Sequence, residues 1–255
     1  MRVASWNVNS LRVRLPQVLQ WLAQAQPDVL GLQETKLTDP DFPIAELEAA
    51  GYRAVFSGQK TYNGVALLAR CQPEDVITDL AGLEDPQRRV MAASIDGVRI
   101  WNLYVPNGQS VESEKYLYKL GWLEALAAQL AGELERHAKV VVMGDFNIAP
   151  DDRDVHDPAA WAGKILCSEP ERAALGSLLS LGLEDLFRRF DQPEATFSWW
   201  DYRAAGFRRN HGLRIDLILA NPALAAKCTL CEVDREPRRW ERPSDHAPVI
   251  ADFAL

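Results

Sequence analysis

Two short segments concentrate groups able to do chemistry, Gly144-Asp145-Phe146-Asn147 and Ser244-Asp245-His246. Each adjoins a run that reads as a buried strand, Val140–Met143 before the first and Ala247–Ala251 after the second. Buried strands normally end in turn residues. Carboxylates, amides and an imidazole gathered at strand ends therefore point to a hydrolytic or metal site along one edge of a sheet. More strand ends carry comparable groups: Asn7 after Val3–Trp6, Glu34 after Val29–Gln33, Tyr104 and Asn107 around Val105-Pro106, and Asp216 within Leu213–Leu219. Hard cations such as Mg2+ take oxygen ligands, binding one or two carboxylates and a substrate phosphate while keeping waters. Glu34 and Asp245 can supply those carboxylates with Asn7 as an amide neighbour. The remaining Asp, Asn and His groups suit water activation and phosphate recognition. Zinc is disfavoured, because thiols and multiple imidazoles are missing from these positions.

Taken singly, most of these residues have a bland explanation. Asn7 suits a turn, Glu34 before Thr35-Lys36 suits a surface charge, and Asp245-His246 suits a turn cap with a structural histidine. Asp216 resists this treatment, because Ile215-Asp216-Leu217-Ile218-Leu219 would bury a carboxylate among aliphatics. A buried carboxylate needs a partner, and His246 is the candidate. One shared site explains all of the residues together.

The elements that must position them are short and mostly apolar. Arg2–Val8, Val29–Gln33, Gly64–Ala69, Met91–Ile95, Arg99–Val105, Lys139–Met143, Leu213–Ala220 and His246–Phe253 read as strands by length and β-branched content. Leu11, Leu15, Leu19 and Leu22 recur at helical spacing behind a candidate Asn9-Ser10 cap. Leu117–Leu134 and Glu171–Leu181 read as two further helices. Periodicity alone gives mixed α and β. The simplest architecture is an α/β fold, a four-layer α/β sandwich of two packed mixed β-sheets flanked by helices. Residues 1–255 are expected to form one catalytic domain.

A net charge of −8 argues against a general nucleic-acid coat protein but leaves a nuclease open, since DNA contact needs only a local basic face. Candidate basic segments are Arg12 with Arg14, Arg88-Arg89, Arg203 with Arg208-Arg209, and Arg235 with Arg238, Arg239 and Arg242. The N-terminus lacks the apolar run and small-residue cleavage site of a signal peptide, and no window has the apolar length of a membrane span. Cys71, Cys167, Cys228 and Cys231 are few and scattered, which suits a reducing cytoplasm. Cys228 and Cys231 have CxxC spacing, but no second Cys or His pair stands at zinc-finger distance.

In their order and from end to end, the motifs resemble the exonuclease III family of abasic-site endonucleases, within the endonuclease/exonuclease/phosphatase superfamily. The matching stretches are Ser5–Arg12, Pro27–Lys36, Tyr62–Ala66, Asn102–Gly108, Gly144–Asn147, Trp199–Arg203, Gly212–Asp216 and Pro243–Pro248. The chain starts at the first strand bearing a site residue, as bacterial members do. The resemblance implies Glu34 as the principal metal ligand, with Asn7 and Asp245 as further metal or water-network ligands. It implies that Asp145 orients or deprotonates the attacking water and that Asn147 positions water or phosphate. His246, held by Asp216, would contact the scissile phosphate. Tyr104 and Asn107 would touch the phosphate or the leaving oxygen. Trp199, Leu213 and Ile215 occupy positions similar to the pocket for a base-less sugar, and Arg88 is expected to bind substrate. Some relatives have an aromatic residue where Leu213 stands. The implied cofactor is Mg2+, with Mn2+ as a substitute. The implied substrate is double-stranded DNA with abasic sites or damaged 3′ ends, acted on by a cytoplasmic monomer without membrane contact. The implied reactions are hydrolysis 5′ of abasic sites, 3′–5′ exonuclease action and removal of 3′-phosphates.

Two other readings remain. Related folds hydrolyse inositol phosphates, sphingomyelin or RNA tails, and some members lose catalysis and bind as regulators. Loss of catalysis would remove the metal carboxylate or the Asp–His pair, whereas Glu34, Asp145, Asn147, Asp216, Asp245 and His246 are all present.

Overall fold

A computed structural model describes residues 1–255. Edge to edge, the first of its two six-stranded sheets comprises Cys228–Val233 (β11), Val249–Phe253 (β12), Arg2–Asn7 (β1), Val29–Gln33 (β2), Val65–Ala69 (β4) and Arg53–Ser57 (β3). The second comprises Glu74–Ile77 (β5), Val90–Ile95 (β6), Val98–Tyr104 (β7), Val140–Asp145 (β8), Asp216–Ala220 (β10) and Glu184–Asp185 (β9). Only β1–β2 and β7–β8 pair in parallel, so both sheets are mixed.

Each parallel pair needs a crossover, and each crossover is a helix. Helix α1 (Leu11–Ala25) joins β1 to β2, and α3 (Glu114–Arg136) joins β7 to β8. These two units bring the carboxyl ends of β1, β2, β7 and β8 to one end of the molecule. The antiparallel strands β10 and β12 begin at that same end.

Side-chain alternation builds the layers. Val3, Val29, Ile100, Val141, Ile218 and Ala251 lie in the cluster between the sheets. Their strand neighbours Ala4, Leu30 and Leu32 pack outward with Trp21 and Leu22 of α1 and Leu47 of α2 (Ile44–Ala49). Trp101, Val142, Leu217 and Leu219 pack outward with Trp122, Leu126 and Leu130 of α3 and with Leu175 and Leu178 of the helix Glu169–Ser180. The result is the expected helix–sheet–sheet–helix stack. Burying one such aliphatic side chain contributes about 1.5–3 kcal/mol, so the three clusters dominate stability.

The sheets approach closely near the site end. A Cβ on Gly31 would meet Asn102 Oδ1 and Met143 Cε at 2.7 Å, so glycine is required there. Gly144, with φ +146°, lies so near Leu103 that a Cβ would sit 2.0 Å from its carbonyl oxygen.

Several boundaries differ from the sequence reading. β10 starts at Asp216, and Leu213 instead makes isolated bridges with Val155 and Trp199. β12 starts at Val249, while His246 bridges Trp199. The strands β3, β5, β9 and β11 escape the pattern because they lie at sheet edges and carry exposed or partly exposed residues. Ser10 precedes α1 but makes no side-chain cap bond. The Asn9 side chain is drawn into the site, donating to Asp245 Oδ1 at 3.0 Å and accepting from Lys36 Nζ at 2.5 Å. No helix is long and apolar enough to cross a membrane.

Candidate active site

Asn7 is the last inward-facing residue of β1, and its amide spans the gap between the sheets. Its Nδ2 donates to Glu34 Oε1 at 2.8 Å and to Asp145 Oδ2 at 2.9 Å. Glu34 follows β2 in a left-handed conformation (φ 52°), as does Asn147 after β8 (φ 50°). Such backbone costs about 1–3 kcal/mol for a residue with a Cβ and persists where the surroundings enforce it. Lys36 Nζ pairs with Glu34 Oε2 at 2.9 Å.

On the other side, His246 Nδ1 lies 2.9 Å from Asp216 Oδ2 and 3.1 Å from Oδ1, so the ring donates to that carboxylate. His246 Nε2 stands 3.8 Å from Asp145 Oδ2, an ion-pair distance too long for a hydrogen bond. The segment Ser198–Trp200 brings Asp216 and His246 together. Ser198 Oγ accepts from the Ile215 and Asp216 amides at 3.0 Å each. Its carbonyl accepts from the Ala247 amide at 2.8 Å.

The electrostatics follow from this crowding. Burial alone lowers the His246 pKa, but the Asp216 and Asp145 carboxylates outweigh it and raise the value to about 10. Burial raises the Asp145 pKa to about 7, with His246 opposing and Asp216 adding to the rise. The Tyr104 hydroxyl is held well above its usual pKa by burial and by the charges of Glu34 and Asp145, so it remains a donor.

Asn147 orients Asp145 twice, through its amide nitrogen to Oδ1 at 2.9 Å and its Nδ2 to Oδ2 at 3.3 Å. Asn107 Nδ2 donates to Asn147 Oδ1 at 3.0 Å. One titratable ligand-type atom from each of Glu34, Asp145 and His246 falls within 4.8 Å of the others. Two buried or half-buried carboxylates, Glu34 and Asp145, offer the oxygen ligands that a hard divalent cation takes, and such an ion would offset the burial that raises the Asp145 pKa.

The expected residues do not all meet. Asp245 is placed beside the group, and both its oxygens are used, by Asn9 Nδ2 and by Trp199 Nε1 at 3.0 Å. Leu213 and Ile215 are buried in a cluster with Val155 against Trp199, which is itself only half-buried. Arg88 is not brought in, since its guanidinium pairs with Asp79 at 3.3 Å. Its neighbour Arg89 takes that place, lying 4.7 Å over the Tyr104 ring and donating to the Tyr104 carbonyl at 3.1 Å. The Arg88-Arg89 pair carried the signal, but adjacent residues at a strand start point to opposite sides. Lys119 was missed altogether. It is fully buried within α3 and paired with Glu171, and it gave no sequence signal beyond being one lysine in an amphipathic helix.

Comparison with known proteins agrees with this geometry. Residues 4–246 match the model of the Endonuclease/Exonuclease/phosphatase family. The chain is 38% identical to exodeoxyribonuclease III of Haemophilus influenzae over 267 residues, covering 99% of this chain and all of the relative. The chain belongs to the endonuclease/exonuclease/phosphatase family. Among solved structures, a Neisseria 3′ phosphatase bound to product DNA hairpin superposes with a TM-score of 0.98 at 51% identity, over 100% of both chains. An AP endonuclease from Archaeoglobus fulgidus gives 0.96 at 41%, again over 100% of both. As a member of this family the chain is a hydrolytic nuclease. The family depends on divalent metal, and the carboxylate side of the Glu34–Asp145–His246 group is where this member could hold it.

Proposed function

We propose that the chain is a Mg2+-dependent DNA repair nuclease that hydrolyses the phosphodiester 5′ of abasic sites and trims or dephosphorylates 3′ ends of duplex DNA. The observation that carries this reading is the convergence of Glu34, Asp145 and His246 within 4.8 Å, bridged by Asn7. The DNA-bound Neisseria phosphatase supports DNA as substrate. A cavity of about 590 Å3 lined by Arg89, Lys115, Tyr62, Tyr104 and Asn107 gives one strand a basic and aromatic seat beside the site.

Glu34, with Asn7 and Asp245 close by, would hold the cation, which when bound would supply charge neutralisation to the phosphate and its leaving group. Asp145 accepts the proton of the attacking water, and a bound cation would favour its ionised form relative to the metal-free value of about 7. His246 stays an imidazolium and offers Nε2–H to a phosphate oxygen, while Asp216 fixes the ring. Tyr104, kept neutral, donates to the phosphate or the leaving oxygen. Asn147 and Asn107 hold Asp145 in line and face the phosphate.

Leu213 and Ile215 pack with Val155 against Trp199, and this apolar cluster is the proposed border of a seat for a base-less sugar. Residues 1–255 act as one catalytic domain, because β1 and β12 from opposite ends of the chain are paired neighbours. The full catalytic set comes from one chain, which supports a monomer, and the four free cysteines support a reducing cytoplasm.

A duplex panel carrying an abasic site, a blunt end or a 3′-phosphate, assayed with Mg2+ and with EDTA, tests the assignment. Metal-dependent hydrolysis of all three is expected. No turnover on any of them would overturn it.

A further inference from the structure

We infer that Lys119 is a positioning residue for this hydrolysis, its ammonium fixing Asn107 and Asn147 from beneath the site. The inference rests on the proposed nuclease function for its kinetic meaning. The structural claim stands on its own contacts.

An ammonium has three hydrogens to donate. Lys119 Nζ donates to the Asn147 carbonyl at 2.6 Å, to the Asn107 carbonyl at 3.2 Å, and to Glu171 Oε1. All three are thus satisfied in a place with no solvent access. Two of the acceptors are the backbone carbonyls of the asparagines whose side chains meet over Asp145. Those asparagines leave different strands, β7 and β8, and no backbone–backbone hydrogen bond joins them. Beside the Asn107–Asn147 side-chain bond and the bond from Asn147 Nδ2 to the Val105 carbonyl at 3.0 Å, Lys119 adds a tie between the two loops through both backbone carbonyls.

Two further observations point the same way. Asn147 sits in the left-handed region (φ 50°), and the short bond to its carbonyl holds that otherwise unfavourable conformation. The turn at Gly108 lies on the lysine stem, where a Cβ would come within 3.2 Å of Lys119 Cδ. Glu171 is in turn fixed by the amides of Leu166 at 3.0 Å and Ser168 at 3.1 Å, so the ammonium is anchored to the start of a second helix.

A buried ion pair is by itself weak evidence for anything but packing. The molecule supplies the contrast. Arg99 and Glu133 form another buried pair, and their remaining bonds go to Asp75 O, Ser94 Oγ, Trp101 Nε1 and Arg136, none of which touches the site. Lys119 differs in spending its bonds on site loops.

The test uses the full chain with Lys119→Met, Lys119→Arg, Glu171→Gln, Asn147→Ala and the Lys119→Met/Asn147→Ala double variant. Turnover is measured on the 3′-phosphate duplex, with Tm and the side-chain amide resonances of Asn107 and Asn147 followed in 15N spectra. Lys119→Met should lower kcat about 10–100-fold while KM moves less than about threefold, as a misplaced catalytic constellation does. Lys119→Arg should restore part of the loss. In the Asn147→Ala background, Lys119→Met should cost less than about twofold, because both act through one group. A folded Lys119→Met protein with parental kcat, or losses that multiply in the double variant, would overturn the inference. If Lys119→Met does not fold, Lys119→Arg and Glu171→Gln decide: lowered kcat at parental Tm sustains it, and parental kcat sinks it. If the parent turns over no DNA substrate, the nuclease assignment fails instead. The resonances then decide, since both amides must shift in Lys119→Arg or Glu171→Gln, and unmoved signals reject the positioning role.

Discussion

The cleft between the two sheets has two ends built from the same strands. At one end Val3, Val29, Ile100, Val141 and Phe253 close an apolar core. At the other, the same inward faces present Asn7, Tyr104, Asp145 and Asp216, with Glu34 and His246 just beyond their strands. Between them lies a transition of small and amide residues. Gln33 Nε2 donates to Ser5 Oγ at 3.0 Å and to Asn102 Oδ1 at 2.5 Å, and Asn102 Nδ2 donates to the Leu32 and Ala66 carbonyls at 2.9 Å each. The aliphatic end supplies folding free energy. The polar end spends some of it to hold carboxylates and an imidazole in a low-dielectric crevice, where their mutual interactions are strong.

The difference can be broken most sharply at Asp145. Asp145→Asn should lower kcat by about 10^3-fold or more, within the range of general-base catalysis and its electrostatic support. DNA affinity should stay near parental and Tm should hold or rise, because the carboxylate is buried beside Asp216. Near-parental turnover would remove Asp145 from the chemistry. Glu34→Ala should raise the Mg2+ concentration for half-maximal rate by at least about tenfold, and an unchanged metal titration would exclude Glu34 as a ligand.

The pH profile sharpens the contrast further. In the metal-free protein Asp145 should lose its proton near pH 7 and His246 near pH 10, and bound Mg2+ should move the acid limb of the rate profile below the metal-free value. Asp216→Asn should move the upper limb to lower pH, since Asp216 is the main support of the imidazolium. An unmoved limb would assign it to another group. Stability follows the same signs. His246 has its pKa raised on folding, so its contribution is complete below about pH 6.5 and fades as pH rises through 10. Asp145, also raised, has the same sign: its contribution is complete below about pH 4 and is lost as pH rises through 7.

The smallest effect on turnover is expected at the apolar end. Ile100→Ala should cost about 2–5 kcal/mol of stability through the cavity it leaves, read by denaturant unfolding, with kcat per folded molecule unchanged. A large kcat loss there would show the two ends to be coupled.

The sequence by itself determined which strands are buried, because runs such as Val140–Met143 and Leu217–Ala220 have no other economical place. It also determined that Asp216 needs a partner, and His246 is that partner at 2.9 Å. Tertiary structure alone decided which of two adjacent arginines faces Tyr104, that the carboxylate of Asp245 is already held by Asn9 and Trp199, and that Asn9 serves the site instead of capping α1. It alone revealed that Lys119, unremarkable along its helix, lies under two site loops. The physical reason is one of range. Hydrophobic periodicity reports which way a side chain points relative to its own element. What it meets there depends on a second element placed by contacts distant in the chain, and polar side chains in a crevice are chosen for those partners.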